Sequence, residues 1–443
     1  MAAGAEQGRE WFGQPRGLTV LFLTATWEQF SFYGMRTLLV YYMTKQLLFT
    51  QQSASYTYGL YTAVVYFTPI VGGYIADRWL GRYRAVLIGG SIMALGHFLM
   101  ASEDLFYVAL ATIAVGNGLF LPSLPSQIPG LYRLDDARRG RAYNVYYMGV
   151  NLGAMFAPFI CGTIGEVYGW HYGFAVAGFG MMAGMAVYIG GSRYLTSRAI
   201  PERATPDPTA LRGIRLGDKD TLARFTLLGS IAAVVILFRG AYEQIGNTLA
   251  LWADTGVDRT VTANWAIPMT WFQSLNPCVV LLFTPVILSY WRSQAERGRE
   301  PSSVAKMAIG AALVALSYLM LAAVAGWADA GQMRAPWPWL AAFMFLLTIG
   351  ELFILPTGLG LFARLAPHGY AATCVALWFL AAFFGNLLAG SLGSLWSQMG
   401  DSTYFLLMSA TSGLCAAALL AFATRTTREE AQSLRDAAEA RQA

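Results

Sequence analysis

The stretch Ile200-Pro201-Glu202-Arg203-Ala204-Thr205-Pro206-Asp207-Pro208 sits in a polar segment, Ser192 to Thr221, that reads as the only long loop of this chain. Pro201, Pro206, Pro208, Gly213 and Gly217 stand among charges there, a composition that suits a linker. On either side the sequence turns apolar. Runs of bilayer-spanning length, about 17–25 residues, lie at 17–43, 56–76, 85–101, 105–130, 143–168 and 172–191 before it. Six more lie at 222–253, 266–291, 303–326, 338–362, 370–398 and 402–424. The linker, 192–221, therefore divides the chain into an N-terminal half, 1–191, and a C-terminal half, 222–424, with a tail at 425–443. The fold expected is an all-α membrane protein with twelve transmembrane helices in two six-helix halves.

Composition agrees. Hydrophobic residues make up 56% of the chain and charged residues 12%, against about 25% charged in soluble proteins. Mean hydropathy is +0.46. Of the 30 Lys and Arg residues, 25 fall on the side that holds both termini and the linker. Only Lys45, Arg259 and Arg334 fall on the other, and Arg36 and Arg239 lie inside apolar runs. Positive charge collects on the cytoplasmic side of membrane proteins, so both termini are expected in the cytoplasm of a chain in the plasma (inner) membrane. The net charge of +5 then reflects topology, and no nucleic-acid partner is expected. The first sixteen residues are polar, with no basic-apolar-small cleavage pattern. Cys161, Cys278, Cys374 and Cys415 all lie in apolar runs without a Cys-x-x-Cys pair, so neither disulfides nor zinc are indicated. His97 reads as a structural histidine. The tail from Arg425 reads as a short solvated or interfacial helix.

Three acids, Glu28, Glu243 and Glu351, share the apolar runs with Arg36 and Arg239. An ionisable residue at bilayer depth costs roughly 2.5–3.5 kcal/mol on insertion scales. Five of them point to a polar site at the centre of a helical bundle. No Ser/His/Asp set, zinc pattern or phosphate loop is present, so no enzyme activity and no cofactor or metal are expected.

Gly72-Gly73-Tyr74-Ile75-Ala76-Asp77-Arg78-Trp79-Leu80-Gly81-Arg82-Tyr83-Arg84 resembles the signature loop of the major facilitator superfamily. The two glycines permit close helix approach, and Asp77 can pair with a cytoplasmic arginine or cap a neighbouring helix. The major facilitator fold places its substrate site near the midplane between the halves. Trp27-Glu28-Gln29-Phe30-Ser31-Phe32-Tyr33-Gly34-Met35-Arg36 resembles the first helix of the proton-dependent oligopeptide transporter family. Ala142 to Gly153 looks like that family's second signature. Tyr242-Glu243-Gln244, Trp271 to Pro277, Gly350-Glu351-Leu352 with Pro356, and Trp378 are similar to family segments in helices 7, 8, 10 and 11. The chain departs from the family where it reads Ala25-Thr26-Trp27-Glu28-Gln29 instead of Glu-x-x-Glu-Arg, and where Leu121 replaces the helix 4 lysine. In the family those groups serve proton coupling and recognition of the peptide carboxylate.

Residue by residue, Ala25, Gln29, Phe32 and Arg36 share one face of helix 1. Glu28 either reaches the edge of a cavity or makes an interhelical hydrogen bond. Arg239 and Glu243 are four apart and can pair within helix 7. The resemblance gives Glu243 a second partner in Arg36. Arginine does not readily deprotonate, so a coupled proton must ride on a carboxylate, and Glu243 leads. By resemblance, Glu351 receives the amino group of a substrate. Asn151 and Asn276 can donate to and accept from an amide, and Tyr33, Tyr66 and Trp378 can shape the pocket. The resemblance implies a secondary active transporter of small peptides or amine-bearing peptide-like compounds, working by alternating access as a proton symporter. Its partners would be the peptide, protons and membrane lipid, and it would act as a monomer. Two alternatives stand beside it: an uncoupled or export-type transporter of an amide-containing metabolite, and a membrane receptor that does not transport.

Overall fold

The structure, a computed structural model, describes residues 10–11, 13–133, 136, 138–195, 219–367 and 370–442. Residues 196–218 of the expected linker lie outside the described residues. Twelve helical runs follow the apolar stretches: α1 (Arg16–Lys45), α2 (Gln51–Leu80), α3 (Arg82–Leu99), α4 (Glu103–Leu131), α5 (Arg138–Tyr168), α6 (Trp170–Gly190), α7 (Thr221–Thr255), α8 (Met269–Glu296), α9 (Ser303–Ala330), α10 (Trp337–Arg364), α11 (Thr373–Gln398) and α12 (Asp401–Gln442). Ten of these are long and apolar enough to cross a membrane by length and composition. The two others are α1, which carries Glu28, Gln29 and Arg36 among aromatic residues, and α3, whose 18 residues include Arg82, Arg84 and His97. The third helix was expected at 85–101. It starts earlier because Arg82 and Arg84 form its first turn. Helix α12 runs on without a break into the tail.

Helices suit these runs because hydrocarbon offers no partner to a backbone N–H or C=O, and a helix satisfies both internally. The departures from regularity are local. Helix α2 ends in a wide π-type turn, Ala76–Leu80, closed by Gly81 at φ 74°. A second wide turn, Pro158–Gly162, interrupts α5, and Thr163–Tyr168 continues it. In α7 a tight turn at Glu243–Gly246 precedes Asn247 and the last segment, Thr248–Thr255.

The chain forms two compact units. One comprises Met1–Thr50, Val64–Ala204 and Ala266–Leu281. The other comprises Gln51–Ala63, Thr205–Trp265 and Leu282–Ala443. The first thirteen residues of α2 thus belong with the later helices, and the start of α8 belongs with the earlier ones.

In the first unit α1 packs on α5 and α6, and α3 on α4 and α6. A Cβ on Gly72 would run into the Gly118 carbonyl of α4, so the α2–α4 contact is backbone on backbone. Small residues take this role where lipid removes the hydrophobic drive for helix association. Above such contacts Leu21, Met93, Phe120, Met181 and Tyr188 fill a shared core. In the second unit α9 packs on α10 and α12, and α7 on α11. Tyr318 of α9 is its buried hub. It donates to the Ala241 carbonyl of α7 at 2.7 Å and lies 4.9 Å from the Phe343 ring. The four cysteines are free thiols.

Candidate functional site

The first unit holds Glu28, Tyr33, Arg36, Tyr66, Asp77, Asn151 and Asn276. Glu28 is 1% exposed in the middle of α1. The Gln29 side-chain amide donates to its Oε2 at 2.7 Å, while Oε1 has no hydrogen-bond partner among the described residues. Of the two readings open for Glu28, a cavity edge or an interhelical hydrogen bond, the bond seen is neither, since its donor is the next residue of the same helix. The Arg36 guanidinium stands over the Tyr33 ring at 5.7 Å, a cation–π contact one turn long. Asn151 is 7% exposed and donates to the Tyr147 carbonyl of its own helix at 2.9 Å. Tyr66 and Asn276 are half-buried in α2 and near the start of α8. Asp77 lies in the wide turn that ends α2, 3.9 Å from Arg82 Nε and well exposed.

The second unit holds Arg239, Glu243, Glu351 and Trp378. Arg239 Nη1 and Glu243 Oε1 are 3.2 Å apart, with side chains 8% and 1% exposed. This is the i,i+4 pair that the sequence spacing offers. Space for it comes from α11, where a Cβ on Gly385 would strike that of Arg239. Removing one member of a buried ion pair is generally destabilising. Glu351 is 8% exposed in α10. The residue before it, Gly350, meets Gly310 of α9 backbone to backbone. Trp378 of α11 covers Gly358 of α10 and packs edge-on to Phe362 at 5.2 Å.

The structure therefore brings together Arg239 with Glu243, Arg36 with Tyr33, and Glu28 with Gln29. Each grouping is made within one helix.

Sequence reasoning missed two polar seams at helix starts. In the second unit the Gln51 amide donates to Ser55 Oγ and to the Gly393 carbonyl of α11, both at 2.8 Å. Ser55 Oγ donates to Asn247 Oδ1 at 2.8 Å. Asn247 and Thr248 donate to Gln244 Oε1 at 3.3 and 2.9 Å, and Gln244 donates to the Ala389 carbonyl at 2.9 Å. Beneath this network a Cβ on Gly59 would run into the Gly390 backbone. In the first unit Glu166 at the end of α5 accepts from the start of α8. The donors are the Met269 amide at 3.2 Å, the Thr270 amide at 2.9 Å and the Thr270 hydroxyl at 2.5 Å. Gln244 follows Glu243 in a quoted motif, which was a usable signal. Glu166 stands in no motif, and two of its partners are backbone amides a hundred residues away.

A third group lies at the start of α5. Arg138 reaches Asp136 Oδ2 at 2.9 Å and Glu10 Oε1 at 2.6 Å. The hydrogen bonds from Arg138 hold the Asp136 carboxyl below the usual carboxylate range. Among the described residues no group of three or more His, Cys, Asp or Glu side chains could hold a metal ion.

Comparison with known proteins gives three results. The POT family matches residues 83–209 and 217–407. The peptide transporter YePEPT of Yersinia enterocolitica subsp. palearctica is 31% identical over 459 residues, covering 87% of this chain and 89% of that protein. Among solved structures, a variant of the peptide transporter POT in complex with alafosfalin superposes with a TM-score of 0.88 at 28% identity, covering 96% of this chain and 98% of that one. A POT family transporter in complex with 5-aminolevulinic acid gives 0.85 at 25% identity, covering 96% and 100%.

Proposed function

This chain belongs to the POT family, and we propose that it moves small peptides or peptide-like amine-bearing compounds across the membrane by alternating access. The observation that carries this is the likeness over 96% of the chain to POT transporters solved with alafosfalin and with 5-aminolevulinic acid. A receptor that binds without transporting finds no support in that likeness. Substrate recognition is assigned to Glu351 for the amino group, to Asn151 and Asn276 for amides, and to Tyr33, Tyr66 and Trp378 for the walls. Arg36 supplies the cation that a carboxylate would meet. The proton is assigned to Glu243, whose protonation releases Arg239. Glu28 is the second carboxylate open to a proton, since its partner Gln29 is neutral. Asp77 holds the cytoplasmic end of α2. The charge distribution supports an inner-membrane location with both termini cytoplasmic, and the chain is read as a monomer in lipid.

The test is binding and flux in proteoliposomes. Glu351→Gln weakens amine-bearing ligands about ten- to a hundredfold, as expected for one charge-assisted hydrogen bond of about 1.5–3 kcal/mol. N-acetylated forms are unaffected. Equal loss for both removes Glu351 from the site.

Ala25, Gln29 and Leu121 favour a second reading, uncoupled transport, because they stand where the family keeps charged residues. A pH gradient decides. Coupled transport accumulates labelled dipeptide when the gradient is the sole driving force, and Glu243→Gln abolishes accumulation while keeping counterflow exchange. An unmutated protein indifferent to the gradient is uncoupled.

A further inference from the structure

Helix α8 begins inside the unit formed by the earlier helices, and a carboxylate holds it there. The Met269 and Thr270 amides belong to the first turn of α8, where an amide has no acceptor of its own helix. Glu166 supplies that acceptor from α5, and a negative charge at a helix N-terminus is electrostatically favoured. Two neighbours fix the geometry. The Trp271 indole donates to Thr163 Oγ1 at 2.8 Å and packs edge-on to Phe159 at 5.1 Å. Gly162 lacks the Cβ that would collide with the Thr270 side chain.

We propose that Glu166 is a proton-binding latch. Ionised, it holds the start of α8 on the end of α5. Protonated, it lets α8 move off as the non-cytoplasmic side opens. The proton comes from the aqueous phase on that side and leaves when the latch re-forms. The chemistry is specific to the carboxylate. Its two oxygens accept all three donors, whereas a carboxylic acid turns one oxygen into a donor and sets it against an N–H or O–H.

The neighbouring charges leave this assignment to Glu166. Helix α8 brings Met269, Thr270 and Trp271, none of which titrates. Helix α1 presents Leu38 to Gly165, and the charge nearest to it in that helix, Arg36, lies over Tyr33. Helix α6 brings Gly173 against Gly165, with His171 turned to Met100 and Glu103 and Tyr172 exposed. On α5 itself Tyr168 is exposed and Cys161 packs against Gly34. Among the described residues Glu166 makes no ion pair.

The inference rests on the transporter reading for its purpose, and its test needs no substrate. In a background lacking the four cysteines, Ser274→Cys supplies a reporter. Ser274 is fully buried and its hydroxyl has no hydrogen-bond partner among the described residues, so the exchange removes none of those seen. A membrane-impermeant maleimide is applied from the non-cytoplasmic side of proteoliposomes. The reporter's labelling rate, corrected for thiolate fraction with a small-molecule thiol, rises as the pH drops from about 8 to about 5. Glu166→Gln raises the rate about tenfold at high pH and flattens the profile, and Glu166→Asp restores part of it. A rate indifferent both to pH and to Glu166→Gln overturns the proposal. Should Glu166→Gln fail to fold, Thr270→Val carries the test. It removes one of three donors, so a two- to threefold rise with the pH profile kept supports the latch, and an unchanged rate overturns it. Labelling as expected without any peptide flux would leave the latch standing and remove the transport reading alone.

Discussion

Helix α2 is second in the first six and α8 is second in the last six. Each begins against the fifth helix of the opposite set, α2 on α11 and α8 on α5, yet the two seams use different chemistry. The α2 seam is a network of neutral amides and hydroxyls, Gln51, Ser55, Asn247, Thr248 and Gln244, laid over glycine backbone at Gly59 and Gly390. The α8 seam is a single carboxylate, Glu166, laid over a glycine and a threonine. The first can be broken only by steric change or by deleting a partner. The second can also be broken by a proton.

That contrast can be attacked in order of size. Gly59→Leu should have the largest effect, because its Cβ meets backbone that cannot rotate away. We expect a loss of about 3 kcal/mol in thermal unfolding, against about 1 kcal/mol for Gly162→Leu, whose obstacle is a side chain. Equal losses would mean that backbone approach does not distinguish the seams. Next comes Ser55→Ala, which strands Asn247 Oδ1 in a buried setting. The expected cost is about 1–2 kcal/mol, and it should be the same at every pH from mildly acid to neutral. A pH-dependent cost would show that the α2 seam also contains a titrating group. Thr270→Ala is smaller, about 1 kcal/mol, because Glu166 keeps its two amide donors. The smallest effect belongs to Asp136→Asn. Arg138 depresses the Asp136 carboxyl, so its contribution is present above the ordinary carboxylate range and fades as the pH falls through the depressed value. Because Asp136 lies at the start of α5 and Glu166 at its end, the variant should leave the labelling profile of the α8 seam unchanged. A shifted profile would assign the pH response to the wrong end of the helix.

The helices were legible in the sequence because each apolar run is a local property, and their ends missed by only a few residues. At α3 the miss has a plain cause: a positive-φ glycine at 81 lets Arg82 and Arg84 join the helix immediately, whereas hydropathy alone starts it at Ala85. The Arg239–Glu243 pair was legible for the same reason, since spacing four apart on a helix is sequence-local. Glu28 shows the limit. Its position in a span was clear, but that its partner would be the adjacent Gln29 depends on rotamers. The seams were the least legible. A serine at 55 and a glycine at 59 look like ordinary helix residues, and their partners lie near 247 and 390. Glu166 reads as a polar residue close to a helix end until α8 is set beside it.

The wide turn at Pro158–Gly162 carries a consequence for how such a latch is inherited. It holds one residue more than an ordinary helical turn would need, and everything beyond it, Thr163 and Glu166 included, is offset in angular phase. Removing a single residue there would swing Glu166 by about 100° about the helix axis and aim it away from Met269 and Thr270. A lineage could therefore lose or gain the latch by a one-residue deletion or insertion while every side chain in it stayed the same. The direction in which Glu166 points is written in the length of the chain before it.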